Sequence, residues 1–252
     1  MKFIKNNCFV FAFGLAGILV FIFLLNEAFP TSSLDLSLTK IQAFNASAKF
    51  IASQSINLSG YSSSTIFTAN SPALAYLQKN KGLKEADRII KQDSLPVWRW
   101  WSRWFKSLQK EEFNVEVDPS TGRLLCYNHF TKEDVPGANL PQPKAKLIAE
   151  QFLGKVGIDL TQYDLIESST KKMPARTNHF FGWERRNYKI KDATYKVEVQ
   201  IKGDKIGYFN QYLKIPENFI REYGKESSLG MLLASLSIFF TFIIAVSAFI
   251  IV

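Results

Sequence analysis

Apolar positions divide the chain into three stretches. Phe9 to Leu25 reads FVFAFGLAGILVFIFLL and Leu229 to Val252 reads LGMLLASLSIFFTFIIAVSAFIIV, both without a charge. Between them the apolar residues fall at the periods of helices and strands. At the rise of an α-helix the second run covers about 36 Å, enough for a hydrocarbon core of about 30 Å. The first covers about 26 Å and needs its flanks or a thinned bilayer. We expect membrane helices at 9–28 and 229–252. A cleaved signal peptide is the rival reading of the first run, which has a basic start (Lys2, Lys5). Against cleavage, the following Asn26-Glu27-Ala28-Phe29-Pro30 offers no small-x-small site.

Within the middle stretch, Ala145, Ile148, Ala149, Phe152 and Val156 recur at helical spacing, and Gly157 follows as a stop. Lys196 to Ile201 alternates polar and apolar residues, the mark of a half-buried strand. Asp118-Pro119-Ser120-Thr121-Gly122 is hairpin chemistry, since Pro fixes φ and Gly accepts φ > 0. Val97 to Phe105, VWRWWSRWF, fits a helical stripe as well as a strand.

An internal repeat favours the strand. Phe113–Val117 reads FNVEV and Tyr195–Val199 reads YKVEV, with Trp101 and Trp183 equally far upstream. Phe50-Ile51 precedes Ile56-Asn57-Leu58-Ser59-x-Tyr61 as Phe152-Leu153 precedes Ile158-Asp159-Leu160-Thr161-x-Tyr163. The first copy is longer, and the excess is assigned to a helical stretch from Pro72 to Ile90. Each copy reads as helix, strand, strand, hairpin. The fold class expected is α+β: a duplicated helix-plus-antiparallel-sheet unit flanked by two membrane helices. The boundaries are 1–8 for a cytoplasmic N-terminus, 31–131 and 144–220 for the repeats, and 132–143 for a Pro-rich linker.

Charge and cysteines then narrow the compartment. Lys2 and Lys5 place the N-terminus in the cytoplasm by the positive-inside rule, so residues 30–228 lie outside the cytoplasmic membrane. The net charge of +9 would suit nucleic acid, but that compartment argues against it and for anionic lipid or wall polymer. Cys8 and Cys126 fall on opposite sides of the membrane, so the fold stands without a disulfide.

Candidate chemistry is sparse. No P-loop, GxSxG, HExxH or dinucleotide fingerprint occurs, and no catalytic, cofactor or metal-ligating residue is assigned. His129 and His179 occupy different places in the two copies, and a zinc site needs more converging ligands. The candidate binding surface combines Trp98, Arg99, Trp101 and Arg103 with Lys171, Lys172 and Arg176. Alternation puts Trp98, Trp100 and Trp104 on one face, and Trp101 with the arginines on the other, open to stacking or cation–π contacts. The competing reading is that the rings fill the core and the basic residues form a solvated face.

NVEVDPSTGRLLCYNHFTKEDVPGANLPQPKAKLIAEQFL, GIDLTQYDLIESS and RTNHFFGWERR together resemble the extracytoplasmic N-terminal region of bacterial CPBP-type (CAAX-protease-like) intramembrane metalloproteases, with units like PepSY modules. That resemblance implies a membrane peptidase and its peptide substrate as partners. The family's catalytic glutamates and histidines lie on later membrane helices, and Glu111-Glu112 does not match their motif. The expected role is therefore a non-catalytic regulatory or substrate-presenting module. The alternatives are an envelope sensor that binds polymer or lipid, and a structural anchor packing through Ser235, Ser237, Ala245 and Ser247.

Overall fold

The computed structural model describes residue 12 and residues 14–23 and 34–251, excluding the side chains of 244–251. The expectations for Lys2, Lys5, Cys8 and the flanks of the first apolar run lie outside the described residues. Of that run, α1 (Gly14–Phe23) is an apolar helix shorter than a membrane span, so a second span is not shown.

α2 (Lys40–Ser53) starts at a capping box, in which Thr39 and Gln42 each satisfy the other's backbone N–H. β1 (Ser62–Ala69) follows, and then two helices, α3 (Ser71–Lys81) and α4 (Leu83–Gln92), fill the stretch read as a helical excess. β2 (Trp98–Phe105), β3 (Glu112–Val117) and β4 (Leu124–Phe130) complete the first half. The second half runs α5 (Gln142–Lys155), a 3-10 turn at Leu160–Gln162, β5 (Tyr163–Lys172), β6 (Thr177–Ile190), β7 (Ala193–Lys202) and β8 (Lys205–Lys214). α6 (Glu217–Ile251) leaves the sheet directly.

All eight strands form one antiparallel sheet in the order β1-β2-β3-β4-β8-β7-β6-β5, so the halves join through their last strands. At that seam Tyr127 pairs with Phe209, residues equally far beyond the two VEV strands. α2 and α5 meet above them. Phe50 packs on Tyr127 at 5.0 Å, Phe152 on Phe209 at 5.3 Å, and Phe50 and Phe152 face each other at 6.4 Å. Helices cover this face of the sheet, where Phe113, Tyr127, Phe181 and Phe209 are buried. Each such side chain contributes roughly 1.5–3 kcal/mol by leaving water.

β7 realises its sequence pattern: Tyr195, Val197, Val199 and Ile201 point inward and Lys196, Glu198 and Gln200 outward. VWRWWSRWF is strand, with Ser102 and Trp104 buried and Arg99, Trp101 and Arg103 half-buried on the uncovered face. Trp101 and Trp183, equally far upstream of the VEV strands, do not sit alike in the sheet, however. Trp101 lies opposite Glu116, whereas Trp183 lies opposite Val197, which corresponds to Val115. A one-residue slip turns a side chain to the other face, so Trp183 is core and Gly182 holds the place of Trp101.

α6 begins well before its apolar run, at Glu217, against α3. Phe219 packs on Tyr76 at 5.0 Å, and Lys79 lies over the same ring. The Tyr76 hydroxyl donates to Ile190 O and accepts from Asp192 N, tying α3 to the β6–β7 turn. The span from Glu217 to Ile243 is long and apolar enough to cross a membrane.

Candidate binding surfaces

The uncovered face of β2 and β3 is a ladder of paired charges and amides. Arg99 and Glu116 form an ion pair at 2.5 Å, as do Arg103 and Glu112. Trp101 Nε1 donates to Asn114 Oδ1, and Asn114 Nδ2 donates to Glu112 Oε1, both at 3.0 Å. The Arg103 guanidinium also lies 4.8 Å from the centre of the Phe105 ring. These cross-strand partners fix the arginines, so the face offers flat aromatic and amide surface rather than free cations. Further along the sheet, the Tyr208 and Tyr212 hydroxyls converge on Glu198.

Two predicted surface residues are not on the surface. Trp98 is buried on the helix-covered face, stacked on Phe67 at 6.1 Å. Arg176 is only 4% exposed. Its Nη1 donates to Val135 O at 2.6 Å, its Nη1 and Nη2 to Lys132 O at 3.2 Å, and its Nε to Asn178 Oδ1 at 2.9 Å. The charge is spent on holding the linker against the sheet. Lys171 and Lys172 are exposed at the end of β5, and Lys171 stands 4.0 Å from Glu133 of that linker. The predicted cluster is thus split among the uncovered face, the core and one edge strand.

The linker is docked by more than Arg176. Gly137 N donates to Ala175 O and Thr177 N to Ala138 O. His179, buried, is bonded through Nε2 to Leu140 O and through Nδ1 to the Thr170 hydroxyl. Gly203, at φ +71, lies so close that a Cβ would come within 2.9 Å of Ala138 N. Both left-handed φ and proximity require glycine there.

One cluster escaped the sequence reading. Tyr61 OH donates to Glu111 Oε2 at 2.8 Å, and His129 Nε2 is 2.9 Å from Glu111 Oε1. Burial lowers the His129 pKa and outweighs the Glu111 carboxylate, so the pair is a hydrogen bond from neutral imidazole rather than an ion pair. Burial raises the Glu111 pKa, but the hydrogen bonds from His129 and Tyr61 win and hold it below the usual carboxylate range. Three residues from β4, the β2–β3 loop and the α2–β1 connection meet only in the fold, and no local motif marks them. Among the described residues, no group of three or more His, Cys, Asp or Glu side chains is placed to hold a metal ion.

Among the described residues, no strand pairs with the outer side of either edge strand. β5 is exposed along almost its whole length and ends in Lys171-Lys172. β1, SSSTIFTA, has neither charge nor proline, and its register with β2 is unbroken from Ser62 to Ala69. Charges, prolines and bulges are the usual protection of an edge against pairing with another chain. β1 has none of them.

No family model matches this chain, and no curated protein matches it. Among solved structures, the C-terminal domain of YpeB from Bacillus megaterium is similar, with a TM-score of 0.42 and 10% identity over 70% of this chain. The chain spans 64% of that one.

Proposed function

We propose that this chain is a membrane-anchored, extracytoplasmic, non-catalytic module that presents peptide substrate to, or regulates, a CAAX-protease-like membrane peptidase. It holds an extended peptide by strand addition at β1. The observation that carries this reading is the unprotected β1 edge, on a sheet that runs directly into a helix long and apolar enough to cross a membrane. Strand addition supplies main-chain hydrogen bonds to any sequence, and side-chain pockets on alternate residues then select among peptides. The link to a peptidase rests on the resemblance of the linker and flanking strands to that family's outer region.

We read the outer unit as a duplication of a PepSY-like module. Support comes from the same helix-and-four-strand order in both halves, and from the meeting of corresponding residues at the seam: Tyr127 with Phe209 and Phe50 with Phe152. The polymer- or lipid-binding alternative is favoured by one feature, the flat aromatic and arginine surface around Trp101.

Ser64→Lys with Ile66→Lys places two charges on the edge without touching the core, since both residues are exposed. In cells that carry the peptidase partner, processing of its substrate should fall in this variant while the protein remains folded and in the membrane. Unchanged processing, in this variant and after removal of residues 34–216, would sink the presenting role.

A further inference from the structure

The helix-covered face opens at the seam into a cleft of about 410 Å³, between the carboxyl ends of α2 and α5 and above β4 and β8. Ile56, Tyr127, Ile148, Phe152 and Ile206 make an apolar floor. Lys155 and Lys205 stand exposed on its rim with one opposing carboxylate, Asp204, while Gln54 and Gln151 supply amides. Apolar floor, a surplus of positive charge and flexible amide donors suit a small amphipathic carboxylate.

Tyr127 singles this cleft out. The residue is fully buried, and its hydroxyl has no hydrogen-bond partner in the protein. Leaving such a group unpaired destabilises a fold, so its presence calls for a reason other than packing. Packing does not supply one: Phe209, the residue directly across the seam and at the corresponding place in the second half, fills its site without a hydroxyl. The cleft lies on the tyrosine's side. Burial, reinforced by the Glu111 carboxylate, pushes the phenol pKa up, so the group stays a proton donor at all physiological pH.

We infer that the cleft binds the carboxyl-terminal residue of a peptide. Lys155 and Lys205 take the carboxylate, the floor takes an apolar side chain, and the Tyr127 hydroxyl donates to a ligand oxygen. That hydroxyl is closed off from solvent, so the ligand reaches it only with a local shift of the cleft's lining. The inference deepens the peptide-binding reading above and rests on it for the class of ligand. The site itself is separate from the β1 edge.

The test is calorimetric titration of the full chain in detergent with N-acetyl-leucine, beside N-acetyl-leucinamide, which lacks the charge. The carboxylate should bind saturably in the millimolar range or tighter, and the amide about tenfold more weakly. Lys155→Gln with Lys205→Gln should lose about tenfold, and Ser64→Lys with Ile66→Lys should lose nothing. Tyr127→Phe should bind several-fold more weakly yet melt about 2–4 °C higher, because it removes an unpaired polar group. Failure of the β1 variant alone to alter peptide processing leaves this result standing, so the two readings fail separately. Absent saturation, equal binding of acid and amide, or indifference to the lysine pair or to Tyr127→Phe would each overturn the inference.

Discussion

Replacing Arg176 by methionine removes the guanidinium that fastens the linker while leaving most of the side-chain volume. The donor makes contacts at 2.6, 2.9 and 3.2 Å to Val135 O, Asn178 Oδ1 and Lys132 O. Hydrogen bonds to a charged group contribute roughly 1.5–3 kcal/mol each. Against their sum stands the desolvation of a guanidinium that is only 4% exposed, several kcal/mol in a protein interior. The linker carbonyls also regain water once the segment lifts. We therefore expect a net loss of about 2–4 kcal/mol. The effect should be local as well as global, because Gly137 lies so near that a Cβ there would come within 3.2 Å of the Arg176 side chain, and Gly203 closes on Ala138. Urea unfolding followed by tryptophan emission gives the stability change, and trypsin cutting at Lys132 reports the linker. A loss below about 0.5 kcal/mol with the linker as resistant as before would refute the claim that this arginine, rather than the proline content, holds it.

Stability should also depend on acid through His129. Its folded pKa lies below the usual 6.5, so the unfolded chain takes up the proton first. The contribution is intact above pH 6.5 and erodes as pH falls from there towards the folded value. Glu111, also held low, adds a second loss below its ordinary 4.5. Denaturation midpoints of His129→Gln should lack the first limb and keep the second; an unchanged profile would contradict the burial argument. The two tryptophans set apart by register give a paired test. Trp183→Ala, in the core, should cost about 3–5 kcal/mol, whereas Trp101→Ala, half-buried on the uncovered face, should cost less than half as much by the same urea assay. Equal losses would mean that the uncovered face is covered in solution.

The elements legible in the sequence were those with a strict period. KVEVQI alternates because one side of β7 meets helices and the other does not, and the α5 stripe is apolar because α5 rests on β6 and β7. β5 was expected only from the element order of a copy, a strand after the helix, and not from a period of its own. An edge strand exposed on both faces has no apolar side to display, and YDLIESSTKK shows no strict alternation. The Trp101–Trp183 match failed for a related reason. Equal spacing to a VEV strand does not mean equal register, since the loop between β2 and β3 is replaced by a tight turn and a bulge between β6 and β7. Arg176 and Trp98 were misplaced because burial of a polar or amphipathic side chain depends on what folds over it. For Arg176 that is a linker distant in sequence. The Tyr61–Glu111–His129 cluster and the Tyr127 cleft are likewise products of long-range packing.

The claim on which the rest depends is that the sheet stands outside the cell on a helix that crosses the membrane. Leu108, fully exposed on the β2–β3 loop, is the place to test it. Cys126 will not interfere, because burial raises its thiol pKa far above neutrality. A chain carrying Leu108→Cys, with Cys8→Ser, is treated in intact cells with a membrane-impermeant maleimide. Labelling before lysis is the predicted result; labelling only after lysis would place the sheet in the cytoplasm and contradict the account.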